Sequence, residues 1–429
     1  MTDSPVPVMS RRLLALLAVL TALAPLSIDI YTPSLPAIQA ELASADWLTQ
    51  AIVTSCLLGI GIGQLVLGPL SDRVGRRPVI LAGVAGWTLA SVASALATTS
   101  VLLVVARGLA GLCGAAGIVV ARSMVRDLSH DDVAVATRVG TLSTVTALAP
   151  VLAPVAGAAI AAAWGWRADF VVLALLGALI AVVFATTVRE SLAPEKRVSG
   201  GGVLSTLRAA LRHRELLGVA LALALLSVGF YAYIATASFV IERELGYPPA
   251  VFALVFGTNA AAMFCGNLMF RRFARHHHPS APLGLGLALA TVSGVVLLFA
   301  ALAGAAAAVL WAASTGFAAG AGLVLPAAHS WGQRLSGSRP AARLDPGQGA
   351  RRATLVASGA ASALTGSAQF LGGVVGSPLT GVIGPTSTHL GVLIVASSAA
   401  ALLVWAVIRR TIHTSLLPRA ADEGPGGLR

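Results

Sequence analysis

The sequence predicts an all-α membrane protein of twelve transmembrane helices arranged as two six-helix bundles. Three observations carry the prediction. Apolar runs long enough to cross a bilayer recur twelve times, and the basic residues between them fall almost entirely on one side. Composition supplies the third: apolar residues make up 57% of the 429 positions and charged residues only 11%, mean hydropathy is +0.86, and an ordinary soluble domain carries about 25% charged residues. No soluble fold of this size hides so much apolar surface. The 45 glycines suit helices that approach closely in lipid.

A crossing helix needs about 20 mainly apolar residues. Measured against that length, the first six spans lie near 13–33, 49–69, 79–98, 101–121, 139–162 and 169–188, and six more near 216–240, 250–270, 282–303, 305–327, 354–377 and 389–409. Arg11-Arg12 and the following apolar stretch resemble a secretory signal, and Ala22-Leu23-Ala24 a cleavage site, but Pro25 would follow the cut. The first span is therefore expected to be retained. Very short turns join spans three to four and nine to ten, which implies antiparallel neighbours.

The two sets of six divide the chain into a first half over 1–190, a linker over 191–214, a second half over 215–410 and a tail over 411–429. The linker contains Ser199-Gly200-Gly201-Gly202 and a possible basic amphipathic helix at Leu204–Arg212. A stretch over 333–352, rich in Arg, Gly, Pro and Ser, lengthens the connection before span eleven and is expected to be disordered.

Cytoplasmic loops carry an excess of Arg and Lys. With the N-terminus inside, the termini and even-numbered connections hold 26 of the 29 basic residues; the opposite connections hold Arg167 and Arg243, and Arg107 lies within a span. The bias would not survive a span miscounted mid-chain, so it supports the count and places both termini in the cytoplasm. The net charge of +12 is thus spread over short loops rather than gathered on a face for nucleic acid. The single lysine, Lys196, follows no phosphate-binding glycine loop. Cys56, Cys113 and Cys265 share no metal-ligand spacing and read as packing residues.

An ionisable side chain inside a bilayer is costly unless solvated or paired, so each is a functional candidate. Asp29 and Arg107 are the two clear cases. Asp29 lies roughly 25 Å along a helix from Arg12, and Arg107 roughly 9 Å into the fourth span from its outer end, so spans one and four present opposite charges at similar depths. Burial favours and a nearby cation disfavours proton binding by a carboxylate, so a change in either alters its proton affinity. The structural alternative has Asp29 ending its helix near Pro33 and Pro36 while Arg107 extends outward to headgroup water.

Gly68-Pro69-Leu70-Ser71-Asp72-Arg73-Val74-Gly75-Arg76-Arg77-Pro78 joins spans two and three on the basic side. Its glycines permit a tight turn, Pro78 suits the first turn of a helix, and Asp72 complements a helix N-terminus. The run closely resembles the G-x-L-a-D-r-x-G-r-r loop of the major facilitator superfamily. That resemblance implies a major facilitator fold, and a cytoplasmic latch in which Gly68, Asp72, Arg73, Gly75 and Arg76 gate rather than bind cargo. Arg107-Gly108 with Gly111 and Gly114 resembles the family's fourth-helix motif, whose Arg is associated with proton transfer.

In the fifth span, Ala149, Ala153 and Gly157 recur at four-residue spacing along one close-packing face. With Pro150 and Pro154 they resemble the antiporter motif G-P-x-x-G, Ala153 standing where the first glycine falls. Ser27 to Pro36, Val125-Arg126-Asp127-Leu128, Gly165-Trp166-Arg167 and Phe230 to Ile234 resemble the bicyclomycin-resistance and chloramphenicol/florfenicol exporter group. That resemblance ties Asp29, with Arg107, to proton-coupled export of drug-like molecules, hence to antibiotic resistance.

Gln64, Tyr231, Tyr233, Asn259 and Gln369 are candidate cargo contacts, since aromatics and amides offer an adaptable surface to amphipathic molecules. Each fits a helix–helix hydrogen bond equally well. His276-His277-His278 abuts arginines, and Asp131-Asp132 suits a helix start, so no metal is assigned. The expected protein is no enzyme: it is a monomeric, multi-pass antiporter of a bacterial inner membrane, surrounded by lipid, driven by the proton gradient without a cofactor and moving small-molecule cargo against protons. Uptake by proton symport and a membrane-embedded enzyme are the alternatives.

Overall fold

The computed structural model describes residues 9–129, 132–194, 197, 214–274, 278–337 and 348–416. Twelve long helices run through them: α1 (Arg11–Asp29), α2 (Asp46–Val74), α3 (Arg76–Ala95), α4 (Ser100–Asp127), α5 (Asp132–Trp164), α6 (Arg167–Thr187), α7 (Arg214–Phe239), α8 (Pro249–Phe273), α9 (Ser280–Leu302), α10 (Ala307–Gly337), α11 (Gln348–Ile383) and α12 (Ser387–Leu416). Among the described residues ten helical segments are long and apolar enough to cross a membrane. Large apolar side chains point outward along them, among them Leu89, Leu175, Phe299 and Leu403, each about two-thirds exposed or more. In lipid that surface is solvated, and only helices satisfy their backbone there.

The helix ends follow local chemistry. Ser10 Oγ accepts the Leu13 N–H at 3.1 Å and caps α1. Thr99 does the same for α4 through Leu102 N–H at 3.3 Å. The first span departs from its expected end at 33: α1 stops at Asp29, and the chain turns through a 3-10 segment, Thr32–Ser34, into a short helix, Leu35–Glu41. Pro33 and Pro36 lack the N–H groups that would continue the ladder, so the break falls immediately after the buried carboxylate. At its far end α7 runs into a π-helical turn, Val240–Glu244.

Other boundaries are corrected outward. α5 and α11 exceed the expected 139–162 and 354–377, and α12 continues to Leu416, into the expected tail. Helix also enters both ends of the 333–352 stretch, leaving 338–347 between helices and outside the described residues. Most of the linker, including 204–212, lies outside them too, as do His276, His277, His130 and Asp131. Asp132 opens α5, while His278 pairs Nδ1 with Ser280 Oγ at 3.0 Å.

Packing is dense within each set of six. α4 lies against α1, α2 and α3; α12 lies against α7 and α9, and α10 against α8 and α9. The sets meet along α2 with α11 and α5 with α8. We call the end bearing the 71–77 loop the basic end. At the opposite end Gln50 Nε2 donates to Ala235 O (3.0 Å), Ser377 Oγ to Gln50 O (3.2 Å) and Arg243 Nη2 to Pro36 O (3.1 Å). These bonds close the seam away from the basic loops.

Candidate functional site: a buried carboxyl at the break of helix one

Asp29 is 4% exposed and is the last residue of α1. Gly157 of α5 packs on the next residue: a Cβ at Gly157 would overlap the Ile30 carbonyl oxygen. From the other side comes α7, which packs on the Thr32–Ser34 turn that follows the break. The break of α1 is thus held between α5 of the first six helices and α7 of the second.

Arg107 is fully buried, so it does not extend outward to headgroup water. Its Nη2 donates to Ser27 O at 2.6 Å and meets Cys56 Sγ at 3.7 Å. Its Cζ lies 5.2 Å from the Tyr31 ring centroid and 5.3 Å from that of Phe170. The Ser27 carbonyl belongs to the last turn of α1, where carbonyls lose their helical partners. A guanidinium placed there satisfies one and complements the negative end of the helix. Asp29 and Arg107 therefore act on one helix end, but they are not joined in an ion pair. Trp87 Nε1 fixes the same turn by donating to Ser27 Oγ at 2.5 Å.

The cargo candidates separate into two places. Tyr231 faces the seam, with Phe370 of α11 at 6.0 Å between ring centroids. Gln64 of α2 packs on Gly366 of α11, across the same seam. Gln369 Oε1 accepts from His329 Nε2 at 3.2 Å, and His329 Nδ1 pairs with Thr365 Oγ1 at 3.1 Å. Tyr233 and Asn259 instead lie inside the second set: Asn259 Nδ2 donates to Tyr233 Oη (2.6 Å) and Ser314 Oγ (2.8 Å), while its Oδ1 accepts from Thr315 Oγ1 (2.6 Å). That network borders a cavity of about 260 Å³ walled by Val251, Leu297, Trp311 and Leu390.

The sequence of residues 17–344 matches the family model described as the Major Facilitator Superfamily. The chain belongs to that superfamily. Among the relatives of this transporter, the MFS-type transporter YdgK of Bacillus subtilis is 32% identical over 88% of this chain and 90% of its own. A bicyclomycin resistance protein homolog of Haemophilus influenzae is 29% identical over 67% of this chain and 72% of its own. A chloramphenicol resistance protein of Pseudomonas aeruginosa is 31% identical over 66% and 67%. The fold agrees with a solved D-xylose-proton symporter at a TM-score of 0.73, with 14% identity over 92% of this chain and 96% of that one. Members of the superfamily are transporters, and this chain is one, not an enzyme.

The transporter's signature loop is tied to its own first six helices. Arg76 is 6% exposed and forms ion pairs with Asp72 at 2.5 Å and Asp127 at 3.0 Å, while its Nη1 donates to Ser71 Oγ at 2.7 Å. Gly68 turns its bare Cα toward Val119 of α4, and Arg73 is exposed. Gly75 has φ +119°, a backbone that side chains rarely adopt, and a Cβ there would stand 2.5 Å from Glu190 Oε2.

Sequence reasoning missed Glu190. Its Oε1 accepts from Arg76 N at 2.9 Å and its Oε2 from Arg77 N at 3.1 Å, so it caps the N-terminus of α3 from the end of the neighbouring α6. Burial raises its pKa, but N–H donation from Leu192, Arg76, Arg77 and Ser191 outweighs it and holds the carboxyl below its ordinary 4.5. A lowered folded-state pKa stabilises above the unfolded value, and the stabilisation fades as pH falls through the folded one. Glu190→Gln is expected to cost about 1 kcal/mol at neutral pH, discounted for solvent exposure. Melting curves of the purified protein check this: wild type and variant should converge in acid.

In the antiporter-type segment Ala153, Pro154 and Gly157 are buried. The Pro150 side chain lies outside the described residues. α5 is further fixed to α1 by Thr146 Oγ1 donating to Thr21 Oγ1 at 2.9 Å. The motif residues thus place α5 where it touches the end of α1.

Proposed function

We propose that this transporter is a proton-coupled exporter of small amphipathic molecules, working as a monomer by alternating access in a bacterial inner membrane. The observation that carries the reading is the position of Asp29: a buried carboxyl at the broken end of α1, with Gly157 packed on the next residue and α7 of the other half packed on the turn that follows. Charge gained or lost there changes the helix end that both halves touch. Relatives named for bicyclomycin and chloramphenicol resistance support export of drug-like cargo.

The basic end is the cytoplasmic one in this reading, because Arg and Lys concentrate there. Cargo enters the seam between α2 and α11 and meets Gln64, Tyr231, Gln369 and His329. Gln50, Ser377 and Arg243 hold the outer side closed until the halves rock. A proton taken up by Asp29 from outside is released to the cytoplasm in the return step, and only a difference in proton affinity between the two states links it to cargo. Arg107 acts by holding the α1 end in place. The gating loop, tied through Arg76 to Asp72 and Asp127, moves with the first half and meets the second when the cytoplasmic side closes. No cofactor is needed, since the gradient supplies the driving force.

Expression in a drug-sensitive bacterium tests the reading. Chloramphenicol, florfenicol and bicyclomycin are assayed for accumulation with and without a protonophore. Lower accumulation that the protonophore restores supports it; accumulation unchanged for every compound, with the protein present in the membrane, contradicts it.

A further inference from the structure

A second carboxyl in the first half is as buried as Asp29. Asp169, the third residue of α6, is 0% exposed. An Asp in a first turn commonly serves the helix N-terminus, accepting free N–H groups. Here Ala168 N donates to Gly165 O (3.1 Å) and Asp169 N to Trp166 O (3.2 Å). Its Oδ2 accepts from Ser34 Oγ at 3.1 Å, and its Oδ1 is buried without a partner. A plain helix-start role leaves that oxygen unexplained.

Ser34 belongs to the turn that continues α1 past its break, five residues after Asp29. Between them lies Tyr31, whose ring is 5.2 Å from that of Phe170, the residue after Asp169. The Tyr31 hydroxyl and Arg107 Nε and Nη1 are all buried, and the guanidinium lies against the phenol ring. Arg107 Cζ stands over both the Tyr31 and Phe170 rings. An acid, a phenol and a guanidinium therefore gather by one break in α1, and the acid keeps a buried oxygen with no partner. Such an oxygen is costly when dry, so a purely structural acid would not retain it.

The surrounding charges are few. α1 and its turn bring Asp29 and Tyr31, and α4 brings Arg107. The charged residues of α3 and α5, namely Arg76, Arg77, Asp132 and Arg138, lie toward the basic ends of those helices. Arg167, on α6 itself, is occupied by its ion pair with Glu41 and by Ala97 O at 3.1 Å. Two buried carboxyls thus stand by the break of α1, and neither forms an ion pair. If either ionised, its charge would stand uncompensated in a medium that penalises it heavily.

We propose that Asp169 is a second proton-binding carboxyl of the transporter, exchanging protons with the solution at the end away from the basic loops and linked to Asp29 through the Tyr31–Ser34 turn that follows it. The proposal rests on the reading of Asp29 as the coupling carboxyl. Only O–H bonds change: a hydronium ion protonates the Asp169 carboxylate and leaves as water, and the carboxyl later returns its proton to water.

Infrared difference spectroscopy after a pH jump, on the protein in lipid, tests it without any cargo. Wild type should show two carboxylic-acid carbonyl bands that titrate; Asp29→Asn should remove one and Asp169→Asn the other. Ser34→Ala keeps both carboxyls and should shift only the Asp169 band, a result that remains readable if Asp169→Asn does not fold. An Asp169→Asn spectrum identical to wild type, or a Ser34→Ala spectrum with no shifted band, overturns the proposal. Loss of the Asp169 band alongside an unchanged Asp29→Asn spectrum would instead contradict the role given to Asp29.

Discussion

Arg107→Lys is expected to reduce transport at least tenfold while leaving the protein in the membrane. The guanidinium donates Nη2 to Ser27 O, meets Cys56 and spans two aromatic rings at 5.2 and 5.3 Å. An ammonium is a compact point charge and does not reproduce a planar group between two rings. A hydrogen bond from a charged donor contributes about 1.5–3 kcal/mol, and each 1.4 kcal/mol is about a factor of ten in an equilibrium. The last turn of α1 would lose its anchor two residues from Asp29. Initial efflux rates, set against melting temperature, check the expectation. A Lys variant that transports at the wild-type rate would show that Arg107 supplies charge alone.

Gly157→Val should be more damaging still. A Cβ at this position overlaps the Ile30 carbonyl, which cannot rotate away as a flexible side chain can. Overpacking costs about 1–3 kcal/mol where neighbours adjust, and here the adjustment must move α5 from the end of α1. Loss of proton dependence together with a lowered melting temperature is the expected result, read by efflux with and without a protonophore and by thermal unfolding. Gly257→Val provides the comparison, because there the nearest atom to an added Cβ is the Val155 side chain at 3.5 Å.

Much of this was legible in the chain itself. Arginine bias and apolar runs located twelve helices, and the rarity of charge in lipid singled out Asp29 and Arg107 before any geometry was known. What escaped was direction around a helix. Rise per residue placed Asp29 and Arg107 at similar depths, but depth gives no azimuth, and Arg107 turns to the Ser27 carbonyl instead of the carboxylate. Tyr231 and Tyr233 carry the same lesson. Two residues apart on a helix they point nearly opposite ways, so one faces the seam and the other joins Asn259 and Ser314.

Glu190 and His329 were illegible for other reasons. Glu190 stands at the edge of a polar linker, and nothing local marks it as the cap of a helix more than a hundred residues earlier. His329 lies alone in an apolar helix, and its partners, Thr365 and Gln369, come from α11. Asp169 sits in the first turn of α6, where acids are ordinary, and only the fold gives its burial and its unpartnered Oδ1.

The central claim is that Asp29 couples proton movement to cargo. Its most direct test reconstitutes wild type and Asp29→Asn in vesicles with a compound that the efflux panel shows to be exported. Cargo movement is then measured against a concentration gradient under an imposed pH difference, and down a gradient without one. The account predicts that Asp29→Asn loses uphill transport and keeps downhill exchange. Uphill transport by Asp29→Asn at the wild-type rate would contradict it.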